Sequence, residues 1–318
     1  MKMSGMKRKM IIDCDAGNDD AQAIMLALSH PDIDVIGITC VTGNVRVDQV
    51  CLNVLRVLKA CDRLDVPVFK GSGKTMLGNI PDRYAGVKFH GHDGMGDAPN
   101  PLPVDIDMIQ TEHAVQALVR LADQYPGEVT LVALAPLTNI ALALRLDPGF
   151  CTNLKDVVIM GGNTAGRGNT TPAAEFNFIS DPEAAFVTIN ELKCPIITVD
   201  WEICLKAAVT KDWLDMWLNV DTQKGRFNRD ISEKTLFYWQ KPYNEYNSCD
   251  LAAMAVAVDK SVASELQEVY ATVELSGTVT RGQMVVDWRG VLDKPHNMKI
   301  VQSYDLEKAK EMFYNMLL

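Results

Sequence analysis

Four aspartates fall within eight positions of the segment Met10-Ile-Ile-Asp-Cys-Asp-Ala-Gly-Asn-Asp-Asp-Ala21, namely Asp13, Asp15, Asp19 and Asp20. Carboxylates this close repel one another, and a hard dication relieves the repulsion. Calcium accepts roughly six to eight oxygen ligands in flexible geometry. Asp15 and Asp20 flank a turn containing Gly17 and can converge on one ion. Asp13 and Asp19 are then free to bond loop amides, water or substrate hydroxyls. Capping of a helix N-terminus accounts for one or two acids, not for four. Zinc is disfavoured, because the cluster holds neither histidine nor a second cysteine. The spacing is not that of an EF-hand loop.

Such a cluster must be held by rigid elements, and the chain alternates apolar runs with helical patterns. The runs at Met10–Cys14, Asp34–Val41, Val66–Phe69, Val129–Ala133, Asp156–Met160 and Pro195–Val199 read as buried strands. Helical patterns lie between them at Ala21–Leu28, Val47–Cys61, Thr111–Gln124, Ile140–Leu146 and Asp181–Asn190. Continuous apolar strands separated by helices predict an open, mostly parallel α/β sheet with helices on both faces. The C-terminal third turns more helical through Leu251–Val258 and then shows two antiparallel strands, Glu268–Leu275 and Gly282–Val286. No linker, repeat or low-complexity tract divides the chain, so residues 1–318 are expected to form one domain.

Composition narrows the function further. A chain of 318 residues with 47% apolar and 23% charged residues can bury a large core. Its net charge of -10 disfavours nucleic acid and anionic membranes as partners. The eight cysteines are scattered, with no CxxC pair, which fits reduced thiols in the cytoplasm. The basic N-terminus runs into Asp13 without a long apolar stretch, so neither a signal peptide nor a membrane span is expected.

In an open α/β sheet, ligands bind beyond the carboxyl ends of the strands. Polar, glycine-rich segments recur there: Thr42-Gly-Asn44, Leu134-Ala-Pro-Leu-Thr-Asn139, Gly161-Gly-Asn163, Asn169 and Glu175-Phe-Asn177. Together with Asp13-Cys-Asp-Ala-Gly-Asn-Asp-Asp-Ala21 this order resembles the nucleoside hydrolase family of the inosine–uridine preferring type, whose signature reads D-x-D-P-G-x-D-D-A. The resemblance spans nearly the whole chain. It includes Phe89-His-Gly-His-Asp-Gly-Met-Gly96, Ala135-Pro-Leu-Thr-Asn139, Ala174-Glu-Phe-Asn177 followed by Asp181-Pro-Glu-Ala184, Asn247-Ser-Cys-Asp250 and Val285-Val-Asp-Trp-Arg-Gly290.

That resemblance implies calcium-dependent hydrolysis of the N-glycosidic bond of ribonucleosides, in nucleoside salvage of purines or pyrimidines. It implies Asp15, Asp20, the carbonyl of Leu134 and Asp250 as calcium ligands, with Asp15 also the general base. Asp19, Asn44, Asn169, Glu175 and Asn177 would hold the ribose hydroxyls, and Asp13 would support the cluster. The small-molecule partner is a ribonucleoside, and relatives are commonly homodimers or homotetramers. His90 lies in a glycine-rich loop that can serve as a lid and is a candidate to meet sugar or base.

Two departures stand out. Ala16 replaces the family's proline. Cys249 stands where many relatives have a histidine associated with protonating the departing base. Cys249 is therefore either a weak proton donor or a buried apolar filler, and the second is the expectation. Base stacking on a tryptophan is the other family route, yet nothing in the sequence places Trp201, Trp213, Trp217, Trp239 or Trp288 over a base. Without the histidine, a calcium-dependent riboside-binding protein lacking turnover stays open as an alternative. Asp-x-Asp after a first strand also resembles the magnesium-dependent haloacid dehalogenase-like phosphatases. Asp19 and Asp20 count against that reading, since they would repel a phosphate.

Overall fold

In the first strand, β1 (Arg8–Cys14), successive side chains enter opposite cores: Met10, Ile12 and Cys14 pack into one apolar cluster and Ile11 into the other. The same alternation separates Val132 from Leu131 and Val158 from Val157. A strand buried on both faces needs a covered sheet, and this is what forms. The computed structural model describes residues 7–80, 89–98, 102–239 and 245–318, without the side chains of 237–239.

The following strands are β2 (Ile33–Cys40), β3 (Val68–Lys70), β4 (Ile109–Gln110), β5 (Thr130–Ala133), β6 (Asp156–Met160) and β7 (Ile196–Val199). Beyond them lie β8 (Val209–Thr210), β9 (Glu245–Tyr246), β10 (Ala263–Val269), β11 (Ala271–Val273), β12 (Met284–Val286) and β13 (Met298–Tyr304). Nine of them form one sheet in the order β10-β13-β7-β6-β5-β1-β2-β3-β4. Every pairing is parallel except that of β10 with β13. The helices are α1 (Asn18–Ser29), α2 (Val47–Ala60), α3 (Ala114–Gln124), α4 (Thr138–Leu146), α5 (Phe150–Asn153), α6 (Phe176–Ser180) and α7 (Pro182–Glu191). After β7 come α8 (Trp201–Lys206), α9 (Lys211–Leu218), α10 (Gln223–Trp239), α11 (Cys249–Val258) and α12 (Leu306–Asn315). Apolar residues of α1, α2, α11 and α12 cover one face, and those of α3, α4 and α7 the other.

The chain winds outward from β1 through β2, β3 and β4, then returns to β5 on the opposite side of β1. That reversal opens a crevice at the carboxyl ends of β1 and β5. Asp13 faces Ala133 across the pairing, and Leu134 N–H donates to the Asp13 carbonyl at 2.9 Å, so the loops after β1 and β5 leave the sheet side by side.

The C-terminal third differs from expectation in one respect. The run 268–275 is not one strand. Its first two residues finish β10, and Ala271–Val273 start a separate ribbon with β12. β10 and β13 extend the main sheet instead. β10 is exposed from Ser264 to Glu268, an edge strand with acidic residues facing water, a device that discourages pairing with other chains.

Asn139, in the first turn of α4, fastens three strand ends. Its Nδ2 donates to Asp13 Oδ1 at 2.8 Å and to the Cys40 carbonyl at 3.1 Å, and its Oδ1 accepts from Ser72 N–H at 2.9 Å. Asn139→Ala should therefore cost about 2–4 kcal/mol, since it leaves buried partners unpaired. Urea unfolding should show a lower midpoint with an unchanged slope.

Candidate active site

The loop from β1 to α1 places the aspartates. Ala16 has φ of +39°, in the left-handed region, which a proline ring, locked near about -65°, does not reach. Asp20 closes the loop on itself: its Oδ2 accepts from Gly17 N–H at 2.7 Å and its Oδ1 from Asp15 N–H at 3.3 Å. Across the crevice, Gly43 allows the β2 loop to close on Asp15, because a Cβ there would lie 1.9 Å from Asp15 Oδ2.

The carboxyls form a continuous buried set. Asp19, Asp20 and Asp250 each offer an oxygen within 4.8 Å of the others. The side chain of Asp20 lies against those of Asp15 and Asp250. Burial is the leading cause that raises Asp13, Asp15, Asp20 and Asp250, and repulsion from neighbouring carboxylates adds to it for the last three. Asp13 and Asp15 are each pushed up to about 7, and Asp20 and Asp250 well above the ordinary carboxylate range. Asp19 Oδ1 and Asp13 Oδ2 are buried without a hydrogen-bond partner. Oxygen-only donors, an orphaned carboxylate oxygen and repelling neighbours suit a hard cation. Asp15, although in contact with Asp20, turns its carboxylate to Asn44, accepting from Asn44 N–H at 2.6 Å and from its Nδ2 at 3.1 Å. Asn44 thereby orients Asp15. Asp13 accepts from Thr39 Oγ1 at 2.6 Å and from Asn139.

The Leu134 carbonyl accepts from Asn177 Nδ2 at 3.0 Å. The same Nδ2 donates to the Met160 carbonyl at 3.1 Å. Glu175 caps α6: its Oε1 accepts from Asn177 N–H, and its Oε2 from Gly162 N–H and Phe178 N–H. Glu175 and Asn177 are both buried. Asn169 is not gathered with them. It is exposed, and its Oδ1 accepts from Thr170 Oγ1 at 3.0 Å.

His90 is held at the cluster rather than in solvent. Its Nδ1 accepts from Asn18 N–H at 3.2 Å, so the proton of the neutral ring sits on Nε2, 3.7 Å from Asp19 Oδ1. Burial lowers its pKa, against the pull of Asp19. The glycine-rich loop is strapped to α10. Lys234 pairs with Asp97, which also accepts from His92 N–H at 2.6 Å. Gly96, at φ +70°, lies so close that a Cβ would meet the Ile231 carbonyl at 2.2 Å. His92 itself is exposed. Cys249 is half-buried, and its thiol, hydrogen-bonded to Cys204 and desolvated, is raised well above its ordinary pKa. Trp213 and Trp217 stack on each other in the core, Trp288 is half-exposed, and Trp201 begins α8 with its N–H on the Gly162 carbonyl. The Trp239 side chain lies outside the described residues.

Sequence reasoning missed Asn18, Thr39, Gln22 and Ser248, all of which hold the site. The only signal was a lone glutamine in the apolar stretch Ala21-Gln-Ala-Ile-Met-Leu26.

Known proteins resemble this chain in sequence and in fold. The sequence model of the family described as inosine-uridine preferring nucleoside hydrolase matches residues 10–311. The chain is 32% identical over 306 residues to the pyrimidine-specific ribonucleoside hydrolase RihB of Escherichia coli (strain K12), covering 95% of this chain and 94% of that one. An inosine-guanosine nucleoside hydrolase of solved structure superposes with a TM-score of 0.90 at 31% identity, covering 98% of this chain and 99% of that one. A purine-preferring ribonucleoside hydrolase from Gardnerella vaginalis superposes with a TM-score of 0.88 at 26% identity, covering 98% of each chain.

Glu175 gives the site a pH signature. Burial raises its carboxyl from 4.5 to about 7, so the folded state holds this proton more tightly than the unfolded state. Its contribution to stability is therefore full below about pH 4.5 and falls as pH rises through about 7, a loss of about 3 kcal/mol. Glu175→Gln should remove that fall. Relative to wild type, the variant should gain stability between pH 4.5 and 7 in denaturant titrations, whatever constant offset the altered cap introduces. A difference independent of pH contradicts the assignment.

Proposed function

The chain belongs to the inosine-uridine preferring nucleoside hydrolase family, and on that premise we propose that it is a calcium-dependent N-ribohydrolase with Asp15 as general base. Enzymes of this family cleave the N-glycosidic bond of ribonucleosides to free base and ribose. The observation that carries the calcium reading is the buried carboxyl set at the β1/β5 crevice, with its unpartnered Asp19 oxygen. By the family resemblance Asp15, Asp20, Asp250 and the Leu134 carbonyl would hold the ion and Asp19 a ribose hydroxyl, while the oxygens grouped within 4.8 Å are those of Asp19, Asp20 and Asp250. Calcium, when bound, supplies the positive charge that orients water and substrate and eases loss of the water's proton.

The residues of the chain do the rest. Asp15 takes a proton from water. Asn44 fixes the direction of its carboxylate. As the bond to the base breaks, positive charge grows on the ribose in an oxocarbenium-like transition state. The carboxylate floor stabilises that charge where it develops. Glu175 and Asn177, fixed by bonds to Gly162 and Leu134, would face the ribose diol without placing a cation beside it. His90, neutral with its proton on Nε2, would support Asp19. Cys249, a protonated thiol paired with Cys204, fits the filler role, as most buried cysteines do.

The test is a nucleoside panel assayed for free ribose, with and without a calcium chelator. Ribose should be released from ribonucleosides, the chelator should abolish release, and Asp20→Ala should lose both metal and turnover. A site built to hydrogen-bond the diol leaves buried groups unpaired when a hydroxyl is missing. Inosine should therefore react far faster than 2′-deoxyinosine, by about two orders of magnitude or more, given that an oriented polar contact contributes on the order of 2–4 kcal/mol. Full turnover in chelator, or equal rates on the two sugars, contradicts the reading.

A further inference from the structure

The two helices that carry the carboxyls, α1 with Asp19 and Asp20 and α11 with Asp250, both begin at the crevice. Their like charges push these N-termini apart. One side chain spans the gap. Gln22, two residues after Asp20 and fully buried, accepts at Oε1 from Ser248 Oγ at 2.6 Å and from Tyr246 OH at 3.2 Å. Its Nε2 faces Asn228 Oδ1 at 3.0 Å and Ser232 Oγ at 3.3 Å on α10, and lies 3.1 Å from the same Tyr246 hydroxyl. Ser232 Oγ gives its own proton to the Asn228 carbonyl at 2.7 Å, so its lone pairs are free to accept. The amide of Gln22 is thus saturated, and its orientation is fixed by partners on both sides.

Ser248 shows what this bridge displaces. It occupies the N-cap of α11, where a serine hydroxyl ordinarily accepts from an amide of its own helix. Here it makes no such bond; its hydroxyl donates to Gln22 instead. A local cap has been exchanged for a link to the helix bearing the opposing aspartates. Gln22 also sits among Ala21, Ala23, Ile24, Met25 and Leu26, all buried, where an apolar side chain would avoid the desolvation of an amide.

We propose that Gln22 is a positioning residue that, through Ser248, fixes the spacing between Asp19–Asp20 and Asp250 and thereby sets metal affinity. The proposal rests on the calcium reading above. Partners that orient the ligands from outside govern affinity at metal sites; here the Gln22–Ser248 bond acts through the backbone, two residues from Asp20 on one helix and two from Asp250 on the other.

The test measures calcium binding without activity. The metal-free full chain is melted at increasing CaCl2, and the half-saturating concentration is read from the rise in Tm. Gln22→Met, close in volume but without the amide, should raise that concentration about fivefold or more. Ser248→Ala should do the same, the double variant should be no worse than Gln22→Met alone, and Ser248→Thr, which keeps the hydroxyl, should stay near wild type. If Gln22→Met does not fold, the contrast between Ser248→Ala and Ser248→Thr carries the test. A purely structural role lowers the metal-free Tm and leaves calcium affinity unmoved. Smaller changes than these in the folded variants, with a normal calcium response in wild type, overturn the proposal alone. No calcium response in wild type overturns the metal reading and this proposal with it.

Discussion

Burying several carboxyls together without a positive side chain is the constraint on which this structure turns. Among the described residues, no lysine or arginine pairs with Asp13, Asp15, Asp20 or Asp250, and each is raised by desolvation. The surrounding elements answer the problem piece by piece. Asn44 and Gly43 close on Asp15, Thr39 and Asn139 neutralise one oxygen of Asp13, and Gly17 N–H meets Asp20. What these neutral donors do not supply is net charge, and the orphaned oxygen of Asp19 marks where it is wanted. The same arrangement suits the chemistry, because a floor short of positive charge attracts a cation and an oxocarbenium-like sugar alike.

The sheet explains why the problem arises at this place. β1 is central, with β2 and β5 as neighbours, and the chain changes direction around it. Its carboxyl end is therefore the point at which loops from several strands meet. α11 is buried from Asp250 to Val258, so Asp250 arrives on a helix that has no freedom to swing away. Rigid elements on both sides make the repulsion unavoidable, and the bridge from Gln22 to Ser248 is the counterweight.

Much of this was legible in the sequence. Continuous apolar runs such as Asp156–Met160 have no competing interpretation as exposed structure, and the parallel core follows from them. The aspartate cluster was visible because its members are neighbours in the chain. Two kinds of feature were not. β13 mixes Lys299, Gln302 and Ser303 with apolar residues because one side is only half-covered, so it lacks the continuous signature of β5 or β6. Contacts such as Gln22 with Ser248, 226 positions apart, have no local trace. Asn44 is implied as a sugar ligand by the family resemblance, while its place after a strand alone suggests only a turn. The fold shows it first as the partner of Asp15. Base preference is not carried by likeness either, for the similar proteins are named as pyrimidine-specific, inosine-guanosine and purine-preferring.

The central claim is that a buried carboxyl set shares protons until a cation replaces them. Calorimetric titration of the metal-free protein with calcium near pH 7, repeated in buffers of different ionisation heat, tests it most directly. The account predicts one ion per chain and release of protons on binding, because carboxyls whose hold on a proton burial has strengthened, Asp15 to about 7 and Asp20 and Asp250 well above the ordinary carboxylate range, must give them up. Binding with no proton release, or no binding at all, would contradict it.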